Sequence, residues 1–566
     1  MSIDRRAFMA YCASFGLGGT LFPGVLYARI AEGDPITPDV IAHAERVAGL
    51  SFTEAERAMM VEDLTDARTG YAAIRALSIP NSVGPALVFD PGVSGVAPPE
   101  GGAALVWEPR PAERPRDDDA LAFMSVAELA YLLKTRQVTS MELTGLYLTR
   151  LKKYDGVLQA VVSYTEDRAW RQAQEADREL DAGRWRGPLH GVPYGAKDLL
   201  STRGYLTTWG AEPYRQQMID EDAAVIERLD AAGAVLVAKL SLGALTWGDV
   251  WFGGTTKNPW NVEEGSSGSS AGPGAAVAAG LVGFAIGSET YGSIVSPSTR
   301  NGVTGHRPTF GLVSRHGAMA LSWSMDKLGP MARSAEDCAL VFEAIRGRDP
   351  RDPSTVAAPF PYGPDLDVGR LRVGYYAAAF ETDYPNRAAD RATLDVLRSL
   401  GVTLHPVALP ADLPVEALFT ILSVEAAAAF DELTLTRGID RMVRQTKDAW
   451  PHVFRAARFV PAVEYLQANR ARTLLMQRTA EALREVDVFV SPTFEGGTLG
   501  ITNLTGHPCL CVPNAFHPVE GRPGSPRRSP GSITFVGGLY RDAETLALAH
   551  RYQQATDFHR RRPPMA

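Results

Sequence analysis

Cysteine is scarce. Four residues, Cys12, Cys338, Cys509 and Cys511, serve a chain of 566, too few for a disulfide scaffold. Cys509 and Cys511 fall at alternate positions of a strand-like run, so they point the same way but stand too far apart to bridge easily. The ten histidines are scattered and none pair at zinc-protease spacing, so no metal site is expected. No phosphate-cradling loop ends in Lys-Ser or Lys-Thr, and no repeat recurs at a solenoid period. Positive charge is sparse as well. The formal net charge is -8, and the only basic clusters are Arg527–Arg528 and the Arg560–Arg562 run, which argues against a nucleic-acid partner. Beyond Tyr27 no apolar run is long enough to cross a bilayer.

What is present is ordinary in bulk, 45% hydrophobic and 22% charged residues, as in a globular protein. The beginning is less ordinary. Arg5–Arg6 precede Phe8–Met9 and a mildly apolar run, the pattern of a twin-arginine export signal over residues 1–28. The alternative is an anchoring or merely buried helix, although Gly16, Gly18, Gly19 and Pro23 interrupt a stable span. The expectation is a periplasmic or extracellular protein with no stable span after export, or a cytoplasmic one if the signal reading fails.

Residues 29–120 read as a helical extension and linker. "TPDVIAHAERVAGL" and "SFTEAERAMM" each open on a capping hydroxyl, and residues 89–118 are rich in Pro and Gly. Ser125 then caps another predicted helix. From Gly191 helices alternate with short apolar runs, as in "DAAVIERLDAAG" followed by "AVLVAKL". That grammar predicts an α/β fold, a sheet covered on both faces, over residues 121–566. Helices dominate from about 380 to 480, a cap over the sheet.

Several motifs compete for the chemistry. Gly268-Ser269-Ser270-Ala271-Gly272 matches a nucleophile elbow, but that device needs a strand directly before it, and "NPWNVEEGSS" reads as none. Ser324-Met325-Asp326-Lys327 matches the Ser-x-x-Lys of penicillin-recognising enzymes without the companion Lys-Thr-Gly. Three other features stand in order: "PLHGVPYGAKDLL" with Lys197, "GSSAGPGAAVAAG" with Ser269 and Ser270, and "GSETYGSIVSPSTRNG" with Ser293. Together with "DKLGPMARSAEDCALVFEAI" and "TNLTGHPCLCVP", they closely resemble the amidase signature family over about residues 124–563.

That resemblance implies a large mixed β-sheet core flanked by helices on both faces. It also implies a carboxamide hydrolase that needs no cofactor, with Ser293 as nucleophile, Ser269 as bridging serine after a cis peptide bond, and Lys197 as base. The chemistry suits those residue types: a serine hydroxyl attacks only if a neighbour takes its proton. Lysine can take it only when neutral, which burial away from carboxylates favours. Asp198 is adjacent in sequence, but neighbouring side chains need not face one another. Backbone N–H groups around Thr290, Tyr291, Gly292 and Ser293 are the oxyanion candidates, and Thr246, with Trp247, is a candidate substrate contact.

There are departures from the family pattern. Tyr291 stands where it has Gly, Glu289 where it has Asp, Val295 where it has Arg, and Ala271 and Pro273 where it has Gly and Ser. The lost Arg removes an ion pair, for which a longer Glu must find another partner. If position 291 requires φ > 0, a tyrosine is strained there; either the loop shifts or the ring shapes the acyl pocket. The expected partner is a small-molecule amide, and a homodimer is left open. The alternatives are carbamate or ester cleavage, the glutamine-hydrolysing component of an amidotransferase, and a weak binding protein. Specificity is expected in the 380–480 region and in the loop "HPVEGRPGSPRRSPG".

Overall fold

A computed structural model describes residues 35–564 apart from 78, 102–103, 364–365 and 520–523. The twin-arginine segment and Cys12 lie outside the described residues. Eleven strands form one sheet: β1 (Val161–Tyr164), β2 (Pro193–Lys197), β3 (Val235–Leu240), β4 (Phe284–Glu289), β5 (Thr304–Arg307), β6 (Lys327–Ala332), β7 (Val373–Tyr376), β8 (Leu404–Val407), β9 (Val488–Pro492), β10 (Cys509–Pro518) and β11 (Arg528–Gly537). Their spatial order is β1-β3-β2-β4-β6-β5-β10-β11-β9-β7-β8. β2 runs parallel to β3 and β4, β7 parallel to β8 and β9, and the remaining pairs are antiparallel. The sheet is mixed, as expected.

Alternation along the strands explains the layers. Phe284 and Ile286 of β4 join one buried cluster while Ala285 joins another. On β10, Leu510 and Val512 pack to one side, and Cys509 and Cys511 to the other. Both faces are therefore dry, which is why these strands read as continuous apolar runs. Cys338, Cys509 and Cys511 are free and buried.

The first helices begin on capping side chains. Thr37 caps α1 (Pro38–Ala48) as predicted, whereas α2 (Glu54–Arg75) opens two residues past Ser51, on a reciprocal Thr53–Glu56 capping box. Ser125 and Thr139 open the next long helices with boxes of their own, to Glu128 and Glu142, each satisfying two otherwise orphaned donors. α2 buries none of its residues. Residues 89–117 carry only a single 3-10 turn among the described residues, Pro91–Ser94. Five α-helices lie between 380 and 480, from Arg387–Ser399 to Ala462–Ala482. Among the described residues no helix is long and apolar enough to cross a membrane.

Two local expectations are corrected. The sheet begins before Gly191, with β1 against β3; four residues are too short a run to register as alternation. A strand does precede the serine-rich stretch: Asn261–Gly265 pairs with Lys257–Asn258. It lies outside the main sheet, and its polar sequence hid it.

Phe284 is fully buried at the centre of the sheet, with its ring stacked on Tyr194 at 5.1 Å between centroids. Replacing it by Ala should destabilise the protein by about 3–5 kcal/mol, combining lost transfer energy with a cavity. Urea denaturation checks this; a loss below about 1 kcal/mol would mean that the core collapses into the gap.

Candidate active site

The end of β2, the turn into a short helix and the end of β4 converge on one amine. Lys197 closes β2 and is fully buried. Its Nζ lies 2.8 Å from Ser269 Oγ, 3.0 Å from Ser270 Oγ and 2.9 Å from Ser288 Oγ. Ser270 Oγ in turn donates to Ser288 O and accepts from Ser288 N, both at 3.1 Å. Among the described residues, three hydroxyls and no carboxylate stand within hydrogen-bond reach of the amine.

Asp198 is turned away. It pairs with Lys239 of β3 at 2.8 Å and accepts from both the N–H and the hydroxyl of Thr208. Successive strand residues point to opposite faces, so Lys197 and Asp198 occupy different environments. Burial holds the Lys197 ammonium well below its ordinary pKa, opposed only in part by the charges of Asp326 and Glu289.

The Ser-rich stretch is shaped by close backbone contact. A Cβ on Gly268 would come within 1.8 Å of Gly248 O, so only glycine fits there. The Gly268–Ser269 peptide bond is cis, as the family resemblance implies. α3 (Ala271–Ala278) starts immediately after Ser270. Pro273 falls in its first turn, where the missing N–H has no helical partner to lose. Ser270 is thus locked among Lys197 and Ser288 and is fully buried, unlike the exposed serine of a nucleophile elbow.

The loop from β4 to α4 (Val295–Asn301) carries Thr290, Tyr291, Gly292 and Ser293. Its left-handed residue is Gly292, at φ 83°, and not Tyr291. The strain considered for Tyr291 is absent. Its ring is 43% exposed and packs on Phe419 at 4.3 Å, reaching into the helical region rather than closing the loop. Among the described residues, the N–H groups of Tyr291, Gly292 and Ser293 donate no hydrogen bond within the chain. Three neighbouring N–H donors on a Gly-containing turn are thus left unengaged. Ser293 meets the serine-rich turn through its backbone, accepting from Ser270 N at 3.1 Å. No hydrogen bond joins Ser293 Oγ to Ser269 Oγ among the described residues, a looseness common in unliganded sites.

Glu289 ties this loop down. One oxygen accepts from Ile294 N and Val295 N at 2.8 and 2.9 Å, at the start of α4. The other accepts from Arg307 of β5 at 2.7 Å and from Asn503 at 2.8 Å. The longer acid has found its new partner in Arg307. Burial alone would raise the Glu289 pKa, but the Arg307 charge and these hydrogen bonds outweigh it and leave it at about 2. Thr290 Oγ1 donates to Asp326 at 2.5 Å. Ser324 takes no part in the site: its hydroxyl bonds Glu425 and Arg472, while Lys327 Nζ turns to Met325 O.

Thr246 lines a cavity of about 230 Å³ together with Ser288 and Thr290. Its loop is held by Trp450 Nε1, which donates to Leu245 O at 2.7 Å. Sequence reasoning missed Ser288, the second role of Ser270, Asp326 and Arg307. Their signal is strand adjacency, which exists only once β2, β4, β5 and β6 are side by side.

A mixed sheet with this Lys and Ser cluster at the ends of its central strands defines an amidase-type hydrolase, and the family model described as Amidase matches residues 142–545. The chain belongs to the amidase signature family. It is 34% identical to the A-type subunit of the glutamyl-tRNA(Gln) amidotransferase of Methylococcus capsulatus, over 78% of this chain and 98% of that one. The solved native peptide amidase of Stenotrophomonas maltophilia superposes with a TM-score of 0.68 at 30% identity, covering 78% of this chain and 98% of that one.

Glu289→Gln removes the charge facing Arg307 in a dry site. The expected loss is about 3–5 kcal/mol, since one buried charge is left without its partner. The sign of the pH effect follows from the lowered pKa: this stabilisation is full above the ordinary value of 4.5 and is lost as pH falls toward about 2. Denaturation between pH 5 and pH 2 should fall more steeply for the wild type than for Glu289→Gln; parallel curves would assign the acid dependence elsewhere.

Proposed function

We propose that the protein hydrolyses a carboxamide through Lys197, Ser269 and Ser293, by way of an acyl-enzyme. The observation that carries this is the surroundings of Lys197. A neutral amine has two N–H donors and one lone pair. Ser270 Oγ, which already donates to Ser288 O, takes one donor, and Ser288 takes the other through its Oγ at 2.9 Å and its O at 3.4 Å. The lone pair is left to face the Ser269 hydroxyl at 2.8 Å.

Ser269 can then give its proton to Lys197 while receiving one from Ser293, because a hydroxyl donates and accepts at once. Ser293 Oγ attacks the carbonyl carbon, and the oxyanion is received by the free N–H groups of the 291–293 turn. Collapse breaks the C–N bond, and the departing nitrogen takes the relayed proton from the lysine side. Water repeats the cycle, releasing the acid and restoring Ser293. A carbamate or ester would react by the same steps.

A second reading is favoured by the amidotransferase relatives, at 34% identity over nearly their whole length. In it the amide is glutamine and the released ammonia serves another reaction. L-glutamine assayed beside neutral alkyl amides and anilides separates the two: exclusive turnover of glutamine would select the second.

Lys197→Ala, Ser269→Ala and Ser293→Ala should each lower kcat by on the order of 10³-fold or more, and double variants should lose little further, because the three act as a unit. A fluorophosphonate should label Ser293 alone. Additive losses, or labelling of Ser270 or Ser324, would remove the relay.

The acid limb of kcat/KM reports the free enzyme's base. Because Lys197 is held well below 10.5, activity should rise with pH and level off well before that value. A limb still rising at pH 10 would identify an ordinary, charged lysine and sink the assignment.

A further inference from the structure

The cavity beside the lysine has a wall that does not come from the matched domain. Asn81, Ser82, Gly84, Pro85, Leu87 and Val88, in the irregular stretch 81–88 after α2, line it together with Ser288, Thr290 and Thr246. Asn81 fixes this strap. Its Oδ1 accepts from Ala320 N and its Nδ2 donates to Ala320 O, both at 2.8 Å, so the side-chain amide pairs with one residue as a neighbouring strand would. Nδ2 also reaches Ala429 O at 3.3 Å, at the end of the helix Thr420–Ala429. Gly84 lies flat on Trp323, where a Cβ would come within 3.2 Å of the ring. The strap is therefore seated on both the loop before β6 and the helical region.

The titratable groups of the wall have partners within the chain, His316 Nε2 lying 3.7 Å from Glu221. Arg315 is engaged by Asp352, Ser354 Oγ and Trp323 O, and Arg351 by Glu227 and Asp349. Asp326 is filled by Thr290 and two backbone N–H groups. Among the described residues, no arginine in the lining is left over for a charged ligand. Leu87, Val88, Met319, Leu321 and Trp323 supply an apolar surface instead. Leu87 and Val88 remain 67% and 48% exposed, so apolar area is available for a substrate to cover with a favourable free energy. The family match begins at residue 142, and the Methylococcus relative aligns over 98% of its own length but only 78% of this chain. The strap precedes the part of the chain that the family model matches.

We propose that residues 81–88 determine substrate choice, by holding an uncharged, apolar substituent of the amide in the cavity they wall. This rests on the reading of Ser293 as nucleophile. It adds a third source of specificity, from a direction that neither the 380–480 region nor the loop after β10 supplies.

The test compares acetyl, octanoyl and succinyl p-nitroanilides, and acetamides carrying N-methyl or N-octyl groups, on the full chain, Leu87→Arg and Asn81→Ala. The wild type should prefer the octyl partner in at least one series by about tenfold or more, as apolar pockets do. Leu87→Arg should bring that ratio near one and raise relative turnover of the succinyl compound. Asn81→Ala should lower the ratio by releasing the strap. A wild-type preference for the acetyl or succinyl compounds, or ratios unchanged in both variants, overturns the proposal. Failure of the nucleophile reading looks different: the wild type then turns over no amide and takes no fluorophosphonate on Ser293. Should Leu87→Arg not fold, hydrogen exchange on Ser293→Ala with octanamide decides. Added protection over 81–88 is expected, and unchanged exchange there overturns the assignment.

Discussion

The site depends on a lysine amine held in a dry interior, where burial disfavours its charged form. Lys197 is buried among Ser269, Ser270 and Ser288, and the nearest carboxylates are committed elsewhere. Asp198 belongs to Lys239, Glu289 to Arg307, and Asp326 to Thr290 and the backbone. Had any one of them faced the amine at ion-pair distance, attraction would favour the charged form and undo the effect of burial. The arrangement of acids around the centre is as much a requirement of the chemistry as the amine itself.

Glu289 shows how a sequence departure is absorbed. One carboxylate holds both the start of α4 and the guanidinium of Arg307, on the strand two places away in the sheet. Position 295 can be a valine because the positive charge facing Glu289 comes from Arg307 on β5. The turn that presents three free N–H groups is thereby clamped from below, while Gly292 supplies the left-handed step. Tyr291 is then free to lie on Phe419.

Much of this was legible in the chain. Capping residues placed the helices at Thr37 and Ser125, and apolar runs placed β3 and β9, because caps and burial are local in sequence. Lys197, Ser269 and Ser293 stood out through the order of three motifs. Strand β1 and the polar strand Asn261–Gly265 were not legible, one being too short and the other too hydrophilic. Ser288, Arg307 and Asp326 stayed hidden for another reason. Ser288 and Asp326 sit inside motifs that drew attention for other residues; their part in the site exists only because strands far apart in sequence lie side by side.

The seat of Asn81 has a consequence for what likeness conveys. A cleft whose floor lies within the matched residues and whose wall precedes them can be retuned in halves. Changes near residues 81–88 alter one surface of the chamber without touching any strand end that carries the reacting groups. Likeness over residues 142–545 therefore leaves one surface of the chamber unspecified.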